Sequence, residues 1–220
     1  MNPAEIISSI RVIYERFPVH RFLAMHMYRC ASVADWIHGR WIGQEVCRET
    51  LVAYMLVHDL GNVVKSDFSG SSLRDPFLSD PVIWERKKRE AIKKYGCDAH
   101  GATVAMLDEL GIDERVRELV ELHDVGRMVF RGESVDWTSV LGKYADLRTG
   151  PFSVVTLAER MVDLRKRYAG RTDEKLVFLL ESEQVLEEGE REVGKRMRES
   201  PEGLCESAIV SDLRKYMDGS

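Results

Sequence analysis

Apolar residues recur along this chain at spacings of three and four, the period of a helix, and almost nowhere alternate. Ile6 to Phe17 reads as one amphipathic helix, stopping before Pro18 because the residue ahead of a proline is pushed out of helical geometry. A second helix carries His26 and runs to about Gly39, and a third spans Glu45 to His58. Asp80-Pro81 supplies an N-cap and a proline at the first helical position; it opens a basic helix that runs through Tyr95 and stops at Gly96. Asp98 caps a helix to Leu110, ended by Gly111, and Asp113 caps the next, to about His123. Trp137 to Leu147, Thr156 to Tyr168, Asp173 to about Glu188 and Pro201 to Met217 complete the series. Only Arg127–Phe130 with Ser134–Trp137, around Arg131-Gly132-Glu133, has the pattern of a short hairpin. The pattern predicts an all-α protein.

Several polar residues interrupt the apolar faces. The run Leu51 to Val57 closes on His58-Asp59, followed by Gly61, which puts an imidazole and a carboxylate at a helix end. Nitrogen and oxygen donors of this kind suit a divalent transition metal, and burying them is costly unless something coordinates or hydrogen-bonds them. His26 shares a face with Cys30, Val33 and Ile37. By the same spacing His100 falls with Val104 and Leu107, and His123 with Val116, Leu119 and Val120. Asp146 closes Gly142-Lys143-Tyr144-Ala145, on a face that also carries Ser139 and is less apolar than the others. His20 precedes His26 by six residues, about 240° away on an ideal helix, so only one of the two faces a common site.

In the order H…HD…H…H…D, His26 stands in H-x-x-R-x-A, His58-Asp59 in H-D-L-G and Asp146 in Y-A-D-L-R. This arrangement resembles the HD-domain metal-dependent phosphohydrolase superfamily over about residues 20 to 170. The resemblance implies an HD-domain-like helical bundle, a metallohydrolase domain over residues 1–170 with a charged helical extension over 171–220. It implies one metal held by His26, His58, Asp59 and Asp146, and a second held by Asp59, His100 and His123 as in the two-metal members. Asn62 stands where the HD-GYP phosphodiesterases have lysine, and His123-Asp124-Val125-Gly126 lacks the GYP tripeptide, so a cyclic dinucleotide is not implied.

The chemistry implied is hydrolysis of a nucleotide-like or other small phosphate ester through a metal-bound hydroxide, with Asp59 bridging and Lys143, three residues before Asp146, clamping phosphate. Arg29, Lys65 and Arg127 are weaker clamps. In a one-metal variant His100 and His123 would instead bind phosphate or carry protons. The cofactor is one or two divalent transition-metal ions per chain, with manganese, iron, cobalt, nickel and zinc not distinguished. Two other readings stay open, a di-iron oxygenase built on the HD fold and a non-catalytic metal- or nucleotide-binding regulator.

Composition narrows the setting. The 220 residues are 44% hydrophobic, enough for one substantial core, and 32 lysines and arginines nearly balance 37 aspartates and glutamates. A net charge of -5 offers no long-range attraction for nucleic acid or an anionic membrane. No apolar stretch approaches the ~20 residues of a membrane span, and the N-terminus lacks a signal-peptide pattern, so a cytoplasmic protein is expected. The four cysteines, Cys30, Cys47, Cys97 and Cys205, form no C-x-x-C pair, and a cysteine zinc site is not expected. A G-x-x-x-x-G-K-[ST] loop and a G-x-S-x-G elbow are both absent, which removes kinase, ATPase and common serine-hydrolase readings. Ser66 to Ser79 is a long connection that reads as a substrate lid or a surface loop. Arg86-Lys87-Lys88-Arg89 reads as a solvated helix face, since Glu85 and Glu90 dilute it. In the extension, Leu176, Leu179, Leu180, Val185, Leu186 and Val193 form one apolar stripe, to pack on this domain or on a second copy in a homodimer. The expected partner is a small phosphorylated substrate.

Overall fold

The computed structural model describes residues 1–68, 80–123, 135–168 and 183–218. These residues form ten α-helices and two short 3-10 turns, with isolated β-bridges but no strand. In chain order the helices are α1 (Pro3–Arg16), α2 (Arg21–His38), α3 (Arg48–Val57), α4 (Pro81–Tyr95), α5 (Ala99–Leu110), α6 (Glu114–Glu121), α7 (Trp137–Leu147), α8 (Leu157–Tyr168), α9 (Glu183–Gly194) and α10 (Glu206–Asp218). A 3-10 turn, Leu60–Lys65, follows α3, and another, Pro201–Gly203, precedes α10.

The caps explain the boundaries. Asp80, Asp98 and Asp113 each accept backbone N–H groups of the helix they open. Gly111 ends α5 at φ 59°, a left-handed conformation that favours glycine. The first helix begins earlier than its apolar pattern, at Pro3, because Asn2 and Glu5 form a reciprocal capping box. The third begins later, at Arg48, with the segment before it held by a hydrogen bond from His38 Nε2 to the Val46 carbonyl. The expected hairpin lies mostly outside the described residues, and Trp137, its last member, opens α7 instead. The Asp173 to Glu188 helix falls largely outside them too; α9 runs to Gly194.

Two helices form the centre. Cys30 through Ile37 of α2 and Leu51 through Val57 of α3 are buried without interruption, as in a helix covered on every side. Helices α1, α6 and α7 cover α3, while α7 and α10 cover α2. Helix α5 packs on α6 and on the 3-10 turn after α3, and the basic α4 lies outermost. Two glycines permit close approaches that fix the site. A Cβ on Gly142 would lie 2.2 Å from Tyr54 Cε1, so only glycine lets α7 pack this closely on α3. A Cβ on Gly61 would lie 2.4 Å from the Thr103 backbone nitrogen, which keeps the turn after His58-Asp59 against α5. The Gly61 N–H donates to Thr103 Oγ1 there at 2.9 Å.

The C-terminal segment packs on its own chain. Arg148 is buried and donates to the carbonyls of Val155, Pro201 and Leu204, and to the Tyr144 hydroxyl. Asp35 of α2 accepts from Arg48 and from the Tyr216 hydroxyl of α10. Of the apolar stripe, Leu186 and Val193 are buried and Val185 is exposed, while Leu176, Leu179 and Leu180 lie outside the described residues. No described helix is long and apolar enough to cross a membrane.

Candidate metal centre

His58 sits at the C-cap of α3, with its Nδ1 2.9 Å from the Met55 carbonyl oxygen. A carbonyl only accepts, so Nδ1 carries the proton and Nε2 of the neutral ring is a bare lone pair. The side chain is 1% exposed, and among the described residues Nε2 has no hydrogen-bond partner. Burial, reinforced by the neighbouring His123 and His26, holds its pKa below the usual imidazole value in spite of Asp59 and Asp146. A neutral imidazole with an unpartnered buried nitrogen is the state in which histidine binds a metal.

Three other elements bring donors to the same place. From α2, His26 Nε2 lies 3.2 Å from Asp146 Oδ1 and 3.6 Å from Asp59 Oδ2. Asp59, next to His58 at the start of the 3-10 turn, has Oδ2 3.7 Å from His58 Nε2. Asp146 enters from the last turn of α7, with Oδ1 3.9 Å from His58 Nε2. Its other oxygen lies 3.7 Å from Nε2 of His123, which follows α6 and shares a hydrogen bond with the buried Tyr54 hydroxyl. The His58 and His123 ring centroids are 4.9 Å apart.

The electrostatics reflect how tightly these groups are gathered. Burial disfavours a charge on His26, but Cys30 and Asp146 outweigh it and raise the imidazole pKa well above its usual value. Asp146 is buried as well, yet hydrogen bonds from His123 and His26 and the nearby Arg160 cation hold it well below the carboxylate range. For Asp59, burial is overcome by His58, Lys65 and His26, and its pKa is lowered. Without a metal, a proton on His26 holds the two carboxylates together; a divalent cation would neutralise them more fully.

Five of the six expected ligands, His26, His58, Asp59, His123 and Asp146, are therefore neighbours. His100 is not with them. It is exposed in the first turn of α5 and makes none of the contacts that join the other five among the described residues. The inward face of α5 is formed by Ala102, Thr103, Met106 and Leu107; His100 lines up with Thr103 and Leu107 but sits in the first turn of the helix, where Asp98 and Gly101 are exposed as well. Lys143 is buried a turn before Asp146. Of the weaker clamps, Arg29 is paired with Glu206 at 2.9 Å, Lys65 is exposed, and Arg127 lies outside the described residues. His20 is turned away as expected, capping α2 beside Phe68 and Trp84.

Two residues of the cluster were not singled out by the sequence. Cys30 Sγ lies 3.6 Å from His26 Nε2 and 3.8 Å from Asp146 Oδ1. Its signal was present, four residues after His26 on the same helical face, but a cysteine among valine and isoleucine reads as one more apolar residue. Arg160 of α8 brings Nη2 to 4.0 Å from Asp146 Oδ1, with its buried Nε lacking a hydrogen-bond partner among the described residues. Nothing in the charged sequence of α8 distinguishes it from Arg165 or Lys166. One atom each from His26, Cys30, His58 and Asp146 lie within 4.8 Å of one another, close enough to hold a metal ion. No family model, curated protein or solved structure matches the chain.

Proposed function

We propose that this chain is a metal-dependent phosphohydrolase of the HD-domain kind, acting on a small, nucleotide-like phosphate ester. The observation that carries the reading is His58 Nε2, a buried, unpartnered lone pair directed at two carboxylates and a second imidazole. His26, His58, Asp59 and Asp146 would hold the ion, and this set is the one that the resemblance implies. A bound divalent ion supplies Lewis-acid chemistry, acidifying a water and drawing charge from a phosphoryl oxygen.

The chain's own residues divide the remaining work. Asp59, at 25% side-chain exposure the most open of the ligands, can accept a proton from an attacking water at its carboxylate. His123 is placed to carry a proton at Nε2, because Tyr54 fixes the other ring nitrogen. Arg160, whose guanidinium lies beside Asp146 and Asp163 and whose buried Nε has no hydrogen-bond partner among the described residues, would bring positive charge next to an anionic substrate, and Lys143 lies buried deeper in α7. With His100 outside the cluster, one ion with His123 serving protons or substrate is the arrangement these contacts favour.

The test is phosphate release from nucleoside monophosphates and nitrophenyl phosphate by chelated protein reloaded with manganese, iron, cobalt, nickel or zinc in turn. Metal-dependent release supports the reading. Metal binding without turnover of any ester would replace it with a non-catalytic regulator, and oxygen uptake with iron would replace it with an oxygenase.

A further inference from the structure

One donor in the cluster goes beyond the set used above. Cys30 is fully buried and lies one turn after His26 on α2, so both side chains leave the helix on the same side. Its sulfur is 3.6 Å from His26 Nε2 and 3.8 Å from Asp146 Oδ1, while those two atoms are 3.2 Å apart. A tetrahedral ion at about 2.0–2.1 Å from nitrogen or oxygen and about 2.3 Å from sulfur requires N···S edges near ~3.5 Å and N···O edges near ~3.3 Å. The side chains already stand close to those separations. Independently of the thiol, the unpartnered Nε2 of His58 supplies the fourth corner, within 4.8 Å of the other three.

We propose that Cys30 is itself a ligand, bound as a thiolate with its proton released to solvent, and that it sets the class of metal. The inference rests on the metal-binding reading above. A thiolate beside two imidazoles and a carboxylate favours zinc, ferrous iron or cobalt over magnesium and manganese, which prefer all-oxygen surroundings. Asp59, on the more exposed side, then flanks the four-coordinate ion where a water or substrate oxygen would have to enter as a fifth ligand.

Cobalt substitution reads the sulfur directly, because a cobalt–thiolate bond gives an intense near-ultraviolet charge-transfer band that nitrogen and oxygen ligands do not. The probe is cobalt(II) added to the full chain carrying Cys47→Ser, Cys97→Ser and Cys205→Ser, which removes the three exposed thiols and leaves Cys30 alone. The expected result is one cobalt per chain with the band present. Adding Cys30→Ala should abolish the band and weaken cobalt binding by about a hundredfold or more, since even outer-shell partners of a metal are worth about 10–100-fold. Cobalt bound with visible d–d bands but no charge-transfer band would overturn the role of Cys30 while leaving the metal site intact. No cobalt bound at all would overturn the metal-binding reading and this inference with it.

Discussion

His58 donates its Nδ1 proton to the Met55 carbonyl at 2.9 Å, and that bond leaves the opposite ring nitrogen bare in the interior. The cost of burying such a nitrogen without a partner is about 1–3 kcal/mol, which ligation would remove. Adding metal to chelated protein should accordingly raise its unfolding temperature. At a free metal concentration of 100 times Kd the gain is about 2.7 kcal/mol. His58→Ala should lose that stabilisation while remaining folded, and an equal metal-induced shift in both proteins would contradict the assignment.

Substitution should rank the ligands by their place in the cluster. Asp59→Ala is expected to reduce phosphoester turnover by at least about a hundredfold with the helical content unchanged, a loss at or above that of removing an outer-shell partner. His123→Ala should also cost activity, because its ring sits against His58 and Asp146. His100→Ala should cost less than either, because His100 is exposed. Steady-state kinetics on the three variants checks the order, and a His100→Ala loss as large as that of Asp59→Ala would restore His100 to the site.

Much of this arrangement was legible in the residues, and the failures have physical causes. Caps such as Asp80, Asp98 and Asp113 act within a turn of their own position, so they mark helix starts without knowledge of the rest of the fold. His26, His58 and His123 could be read because each lies at or next to an unbroken apolar face. Periodicity failed at His100 because it reports a face and not how far along the helix that face is covered: Leu107 is buried and Val104 half-buried, but His100 lies in the exposed first turn of α5. Arg160 was not legible at all, since its role comes from α8 crossing near Asp146, a tertiary relationship without local pattern.

Gly142 carries a separate prediction about how the site is held. A methyl group there would meet Tyr54 Cε1 at 2.2 Å and Met55 Cε at 3.0 Å, so Gly142→Ala forces α7 and α3 apart. The cost of such overpacking is about 1–3 kcal/mol. Because α7 carries Asp146 and Tyr54 holds His123, metal affinity should fall together with stability. Denaturant unfolding and a metal titration of the variant check both, and an alanine tolerated without loss in either would refute the close approach.

The pH dependence of the metal-free protein follows from the two central histidines. Burial opposes charge on His26, but Cys30 and Asp146 raise its pKa well above 6.5, so the folded state holds that proton more tightly. This contribution is complete below 6.5 and is lost as pH rises through the raised value. Burial lowers the pKa of His58 from 6.5, so its neutral state costs stability as pH falls below that point. Asp146, held below 3.8, adds stability that disappears only as pH falls through its depressed value. Thermal unfolding of chelated protein should therefore peak near pH ~6.5 and decline toward alkaline pH. Stabilisation by metal should grow over that alkaline range, because ligation displaces the His26 proton. A metal-free melting temperature that rises steadily from neutral to alkaline pH would contradict the His26 assignment.

The central claim is that His26, His58 and Asp146 hold a divalent ion, and anomalous scattering from a metal-soaked crystal tests it most directly. The account predicts a peak about 2.0–2.3 Å from His26 Nε2, His58 Nε2 and an Asp146 oxygen. It predicts no second ion shared by Asp59, His100 and His123. Two peaks about 3.5–4 Å apart would contradict the one-ion arrangement, and an anomalous map without a peak among these three side chains would contradict the account as a whole.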